Sequence, residues 1–136
     1  MSDMKPEGGL KEFTINGACK VRFDPADSAF AQKLFGTFAE LDGKQEAYLN
    51  EIAKCGDKAE IYRITRRRDA EMREMIDGVL GASVCDALFG DIGVLALSGG
   101  HPRWSNLMLG VIGACTSDFA QEQMRTNPHI RKYKTR

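Results

Sequence analysis

The sequence predicts a mainly α-helical fold with an N-terminal β-hairpin, a long antiparallel helical hairpin and a smaller C-terminal helical subdomain. Three features carry that reading. Phe13 and Ile15 alternate up to Asn16-Gly17, and Cys19, Val21 and Phe23 alternate after it, the pattern of two short strands around a tight turn. Apolar residues from Phe30 to Cys55 then recur at helical spacing with no proline among them. Gly56 separates that stripe from a second helical stretch, and a short glycine-containing turn makes two helices pack antiparallel.

Length and composition set the bounds. The 136 residues suit one domain, whose core needs no disulfide or metal staple. With 43% hydrophobic and 28% charged residues, the chain has a globular composition and not a disordered one. Its 19 basic and 19 acidic residues cancel, so global charge draws it neither to nucleic acid nor to an anionic membrane. Cys19, Cys55, Cys85 and Cys115 are widely spaced, form no CxxC and have no histidine at ligand spacing, which argues for small buried thiols in a reducing compartment. The start, MSDMKPEGGL, lacks the charged and apolar regions of a signal peptide, and no apolar run approaches the ~20 residues that span a bilayer. A cytoplasmic location is expected.

In chain order, residues 1–10 carry Pro6, Gly8 and Gly9 and read as a flexible leader. Residues 11–124 form the single helical domain, with the hairpin at 11–23. Such a hairpin is marginal alone, so its apolar face must rest on a helix or pair with another chain. Asp24-Pro25 ends the second strand, and Asp27 or Ser28 caps the helix that follows. Phe30, Leu34, Phe38, Leu41, Tyr48, Ile52 and Cys55 lie on one stripe, interrupted by the polar Gln45. Unbroken from Ser28 to Lys54, this helix would measure about 40 Å, and Asp42-Gly43 is the point where it would break or kink.

Asp57 starts the second helix, which runs to about Leu80 with Tyr62, Met72, Ile76 and Val79 on one face. Gly81 breaks it, Ser83 caps a short helix through Leu88, and Phe89-Gly90-Asp91 turns the chain. Val94 to Leu97 fits neither period. After Gly99-Gly100, Pro102 occupies the first turn of a last helix, where Trp104, Leu107, Met108, Val111, Ile112, Cys115 and Phe119 repeat at helical spacing. That helix is apolar on too many sides for a surface helix, so it is core or interface, and Trp104 and Met108 are residue types enriched at interfaces. Asn127-Pro128 is a helix stop. Residues 125–136, basic and free of acids, read as an exposed tail in which Arg131, Lys132 and Lys134 are candidate contacts.

Little points to catalysis. Arg66-Arg67-Arg68 could neutralise phosphates, but Asp69 with Arg73 and Arg67 with Glu71 form i,i+4 pairs, so a solvated, salt-bridged face is expected. His101 and His129 are the only imidazoles, both beside prolines, and no GxSxG, HExxH, P-loop or GxGxxG pattern occurs. No catalytic residue, metal ligand or cofactor is expected, and the chain reads as a binder of proteins rather than an enzyme.

The run Arg73 to Gly81, with Ile76-Asp77-Gly78, followed by Leu88-Phe89-Gly90-Asp91 and an amphipathic helix to Phe119, resembles the small tail assembly chaperones of long-tailed phages of Gram-positive bacteria. This sequence has Leu80 where that family commonly has an aromatic, and it adds the basic segment at its end. The resemblance implies a non-catalytic protein of the host cytoplasm that coats a tape-measure protein, recruits tail-tube subunits and is absent from the finished particle. Ile76, Leu80, Leu88, Phe89, Trp104 and Met108 would line its partner surface, shielding apolar stripes of a helical protein. Two other readings stand beside it. A structural subunit of a tail or head-to-tail connector would pair hairpin edges in a ring, and a small nucleic-acid-binding regulator would use Arg66 to Arg68 and the basic tail. The apolar stripes also lead to the expectation of a homo-oligomer loosened by a charge at Trp104 or Met108.

Overall fold

The computed structural model describes residues 9–134, so all but the last two residues of the leader lie outside the described residues. Strands β1 (Lys11–Ile15) and β2 (Cys19–Phe23) pair antiparallel, with Phe13 opposite Val21 and Ile15 opposite Cys19. Asn16 and Gly17 both take positive φ, +53° and +68°, as the tight reversal requires. Ala18 joins them in the loop and donates its N–H to the Ile15 carbonyl at 2.9 Å. The hairpin rests on a helix: Phe13 stacks on Phe23, and Phe23 stacks on Phe30 of helix α1 (Ser28–Ala53), with centroids 4.5 and 4.8 Å apart.

Asp27 caps α1 by accepting from the Ala29 N–H, and the helix passes Gly43 without a break, extending for 26 residues, about 39 Å. A helical glycine costs only about 1 kcal/mol relative to alanine, and the buried Phe38, Leu41, Asp42 and Gln45 hold the helix on either side of it. Asp57 caps helix α2 (Lys58–Leu80) in the same manner, through the Ala59 N–H. The pair is antiparallel. Lys44 meets Glu71 at 3.7 Å, Glu51 receives Arg67 and Arg68 at 2.8 and 2.9 Å, and the Tyr48 and Thr65 hydroxyls lie 3.2 Å apart.

The buried face of α2 is Ile64, Met72, Ile76 and Leu80, not the expected stripe through Tyr62. Tyr62 is 62% exposed and lies under the Arg66 guanidinium, because this part of the hairpin extends beyond the core. Of the expected i,i+4 pairs, Asp69 does meet Arg73, at 3.0 Å, while Arg67 reaches across to Glu51 and Glu71 takes Arg68 instead.

Helix α3 (Val84–Phe89) starts without the expected serine cap. Ser83 is left-handed, at φ +69°, and the Asp77 carboxylate at the end of α2 accepts the Cys85 N–H at 3.0 Å. Strands β3 (Leu97–Ser98) and β4 (His101–Pro102) make a small hairpin around Gly99 and Gly100, both at positive φ. Pro102 leads into helix α4 (Arg103–Gly113).

The last helix is not continuous to Phe119. It stops at Gly113, because the Thr116 N–H donates to the Pro25 carbonyl at 2.7 Å and draws the chain toward the start of α1. Ser117 then caps a separate helix, α5 (Asp118–Thr126).

The basic end is not a free tail as far as it is described. Asn127 closes α5 and caps helix α6 (Pro128–Arg131), whose Ile130 is fully buried, and Tyr133 just beyond it is 8% exposed. Counting charge hid this apolar pair at i,i+3, and it hid the buried Asp42 of α1 that compensates the cations. The core thus joins Leu34, Phe38 and Leu41 of α1 with Met72 and Ile76 of α2, Trp104, Met108 and Ile112 of α4, and Ile130. Gln45 interrupts the apolar stripe for a reason: its side-chain oxygen accepts the Trp104 indole N–H at 2.9 Å inside the core. Among the described residues no helix is long and apolar enough to cross a membrane.

Candidate functional site

Helix α4 has two long faces. Trp104, Met108 and Ile112 point into the core and are almost wholly buried. Arg103, Asn106, Leu107, Gly110, Val111 and Ala114 follow the i, i+3, i+4, i+7 spacing on another face and form one wall of a groove of about 410 Å³. The opposing walls are Phe13 to Asn16 from β1 and its turn, Phe23 of β2, and Leu88 and Phe89 at the end of α3. Ser98 of β3 closes one side, held by the Asn106 amide, which donates to its carbonyl at 3.0 Å.

Local chemistry holds these walls in place. The hairpin is fixed by its phenylalanine stack onto α1. Helix α3 is fixed through Arg73 of α2, which bonds Asp69 and Asp86 at 3.0 Å and the carbonyls of Gly90 and Ile92 at 2.9 and 2.8 Å, while Asp69 accepts the Val94 N–H at 2.7 Å. This one guanidinium organises the Phe89-Gly90-Asp91 turn. At Gly110 a Cβ would meet nothing within 4 Å, so the missing side chain opens the groove and does not accommodate a neighbour.

Among the described residues Arg103 is the only charged one on the groove wall, its buried Nε has no hydrogen-bond partner, and no carboxylate pairs with it. A buried donor left unmade costs on the order of 1–3 kcal/mol.

The six residues expected to line a partner surface fall into two groups. Leu88 and Phe89 are half-buried and line the groove. Ile76, Trp104 and Met108 have no exposed surface and Leu80 is 8% exposed, so in this fold they belong to the core and offer nothing to a docking partner. Their burial answers the apolar excess that favoured a self-interface, because α5 and α6 cover α1 where two helices alone would not. Arg131 and Lys134 are exposed, whereas Lys132 is tied to Asp42 at 2.9 Å and to Glu46. The sequence reading placed Phe13 and Ile15 in the hairpin but not in a site, and it passed over Arg103 and Gly110, although the spacing from Arg103 to Ala114 was the signal that could have shown a second face.

A second polar cluster gathers at Asp42, whose side chain is 5% exposed. His129 Nδ1 lies 2.8 Å from one carboxylate oxygen, and Lys132 and the Tyr133 hydroxyl donate to the other at 2.9 and 2.7 Å. Burial pushes the Asp42 carboxyl up, but the hydrogen bonds from His129, Tyr133 and Lys132 outweigh it and hold the group below the usual carboxylate range. Burial, then the Asp42 hydrogen bond, pushes the Tyr133 hydroxyl well above its ordinary value. With both Asp42 oxygens bound to the C-terminal segment, the cluster fastens α6 to α1.

Cys19, Cys85 and Cys115 are poor nucleophiles. Burial, aided by Asp77, pushes Cys85 up to about 12, and burial also raises Cys115 and Cys19. Among the described residues no group of three or more His, Cys, Asp or Glu side chains could hold a metal ion. Comparison with family models, with curated proteins and with solved structures finds no match for this chain.

Proposed function

We propose that this chain is a non-catalytic protein-binding module, a tail assembly chaperone of the kind its sequence resembles, acting in the host cytoplasm. Its partners would be a tape-measure-like helical protein and tail-tube subunits. The observation that supports this most is the groove between the hairpin, α3 and α4, because it places Leu88 and Phe89 of the Leu-Phe-Gly-Asp motif on an accessible apolar wall. A groove of this size takes a few bulky side chains of a partner and shields them from water, which is what a chaperone for an apolar helical stripe must do. Self-association is the weaker part of the reading, since Trp104 and Met108 are covered within the chain.

Co-expression with the product of the gene downstream, which this reading expects to be a long helical protein, tests the proposal. Co-purification, with a gain in that partner's solubility, is expected. Absence of both defeats it.

The structural-subunit reading draws on the hairpin, a two-stranded sheet with no further strand paired to it among the described residues. Mass spectrometry of purified particles separates the two, since a structural subunit is present in many copies and a chaperone is absent. The nucleic-acid reading is weakened by Arg67 and Arg68, which already bind Glu51 and Glu71.

A further inference from the structure

The position of Arg103 is unfavourable in three independent respects. It is the first residue of α4, where the helix dipole disfavours a cation and favours an anion. Its buried Nε–H meets no acceptor. No described carboxylate balances its charge, although every other wall of the groove is apolar or neutral. The backbone N–H groups beside it are already used, Arg103 on the Ala96 carbonyl at 2.9 Å and Trp104 on Val94 at 3.0 Å, so the unmet demand lies in the side chain. One added group, a carboxylate against the open end of the Arg103 guanidinium, would offset the first and the third.

We infer that the groove recognises a partner segment presenting an aspartate or glutamate beside bulky apolar side chains, with the carboxylate bound by Arg103 and the apolar groups seated against the half-buried Phe89 and Phe13 over the notch at Gly110. This rests on reading the groove as a protein-docking surface and adds the chemistry of what docks. The charge supplies selectivity. An apolar segment without the acid buries the Arg103 charge without a counter-ion, whereas an acidic segment without the apolar groups leaves the groove empty.

Selection of a random peptide display library on the immobilised full chain tests this. Enriched peptides are expected to share an acidic residue next to large apolar ones. A synthetic consensus peptide should lose about tenfold or more in affinity when its acid is replaced by the matching amide residue, and the same against Arg103→Gln. On Arg103→Gln the acid and amide peptides should bind alike, a result that loss of folding would not produce.

Gly110→Leu, which fills the notch from a position with free space around it, should abolish binding of both while circular dichroism stays unchanged. Consensus peptides that lack an acid yet are blocked by Gly110→Leu would overturn the carboxylate inference and leave the docking surface standing. Peptides indifferent to Gly110→Leu, or no enrichment at all, would overturn both. A concentration-dependent dimer broken by Arg103→Gln would assign the groove to a second copy and overturn the inference of a foreign partner.

Discussion

The two faces of α4 share one helix, and both present apolar side chains, but they meet different ends. Trp104, Met108 and Ile112 are enclosed in the core, with the indole of Trp104 packed against Phe38 and Tyr133 and its N–H satisfied by Gln45. The other face is covered at Leu107 and Val111, 7% and 4% exposed, and opens at Asn106 and Gly110 onto a groove where, among the described residues, no carboxylate meets Arg103. The two faces thus differ less in apolar burial than in small and polar residues, Gly110 and Asn106 leaving one of them open, and hydrophobicity alone does not tell the two apart.

The comparison is broken most severely from the core side. Met108→Asp puts an uncompensated charge where no water reaches, and Trp104→Ala removes the largest buried side chain, so chemical denaturation should show losses of about 3–5 kcal/mol for the alanine variant and no cooperative fold for the aspartate. If either variant kept its stability and dissociated an oligomer instead, Trp104 or Met108 would be an interface residue after all.

The Asp42 cluster, which closes that core from the C-terminal side, should come next. Asp42→Asn leaves Lys132 and Tyr133 without their anion and should cost on the order of 2 kcal/mol, less than a fully buried pair because Lys132 is 42% exposed. The pH dependence has a defined sign. A depressed carboxyl contributes stability above its ordinary 3.8 and loses it as pH falls below that value. A raised phenol contributes below its ordinary 10.0 and loses it as pH climbs. Stability followed by Trp104 fluorescence should therefore fall on both sides of these limits, and Asp42→Asn should shrink the acid limb, leaving the smaller part that Glu51 contributes. A wild-type profile with no acid limb would refute the fastening role of Asp42.

The groove side should respond least in stability. Gly110→Ala replaces a helical glycine where a Cβ meets nothing, so thermal unfolding should show a gain of up to about 1 kcal/mol. A loss would mean that the notch serves internal packing.

Much of this was legible in the sequence, for local reasons. Asn16-Gly17 announced the hairpin, Asp27 and Asp57 acted as caps, and the spacing from Phe30 to Tyr48 marked the helix that runs unbroken past Gly43. The end of α4 was hidden because Cys115 and Phe119 continue its spacing, while the break comes from a hydrogen bond to Pro25, ninety-one residues earlier in the chain. The fate of the basic segment was hidden because its anion, Asp42, lies on α1. The groove is assembled from β1, the end of α3 and α4, and only Leu88 and Phe89 were singled out, through the Phe-Gly-Asp motif. No local pattern states that these segments meet.

Site-directed photo-crosslinking tests the docking face most directly. A benzophenone amino acid is placed at Asn106 on the groove rim or at Tyr62 on the exposed helical hairpin, and each variant is co-expressed with the product of the gene downstream, expected to be the helical partner. The account predicts a crosslinked partner from position 106 that Gly110→Leu eliminates, and none from position 62. Crosslinking from 62 with none from 106 would contradict it.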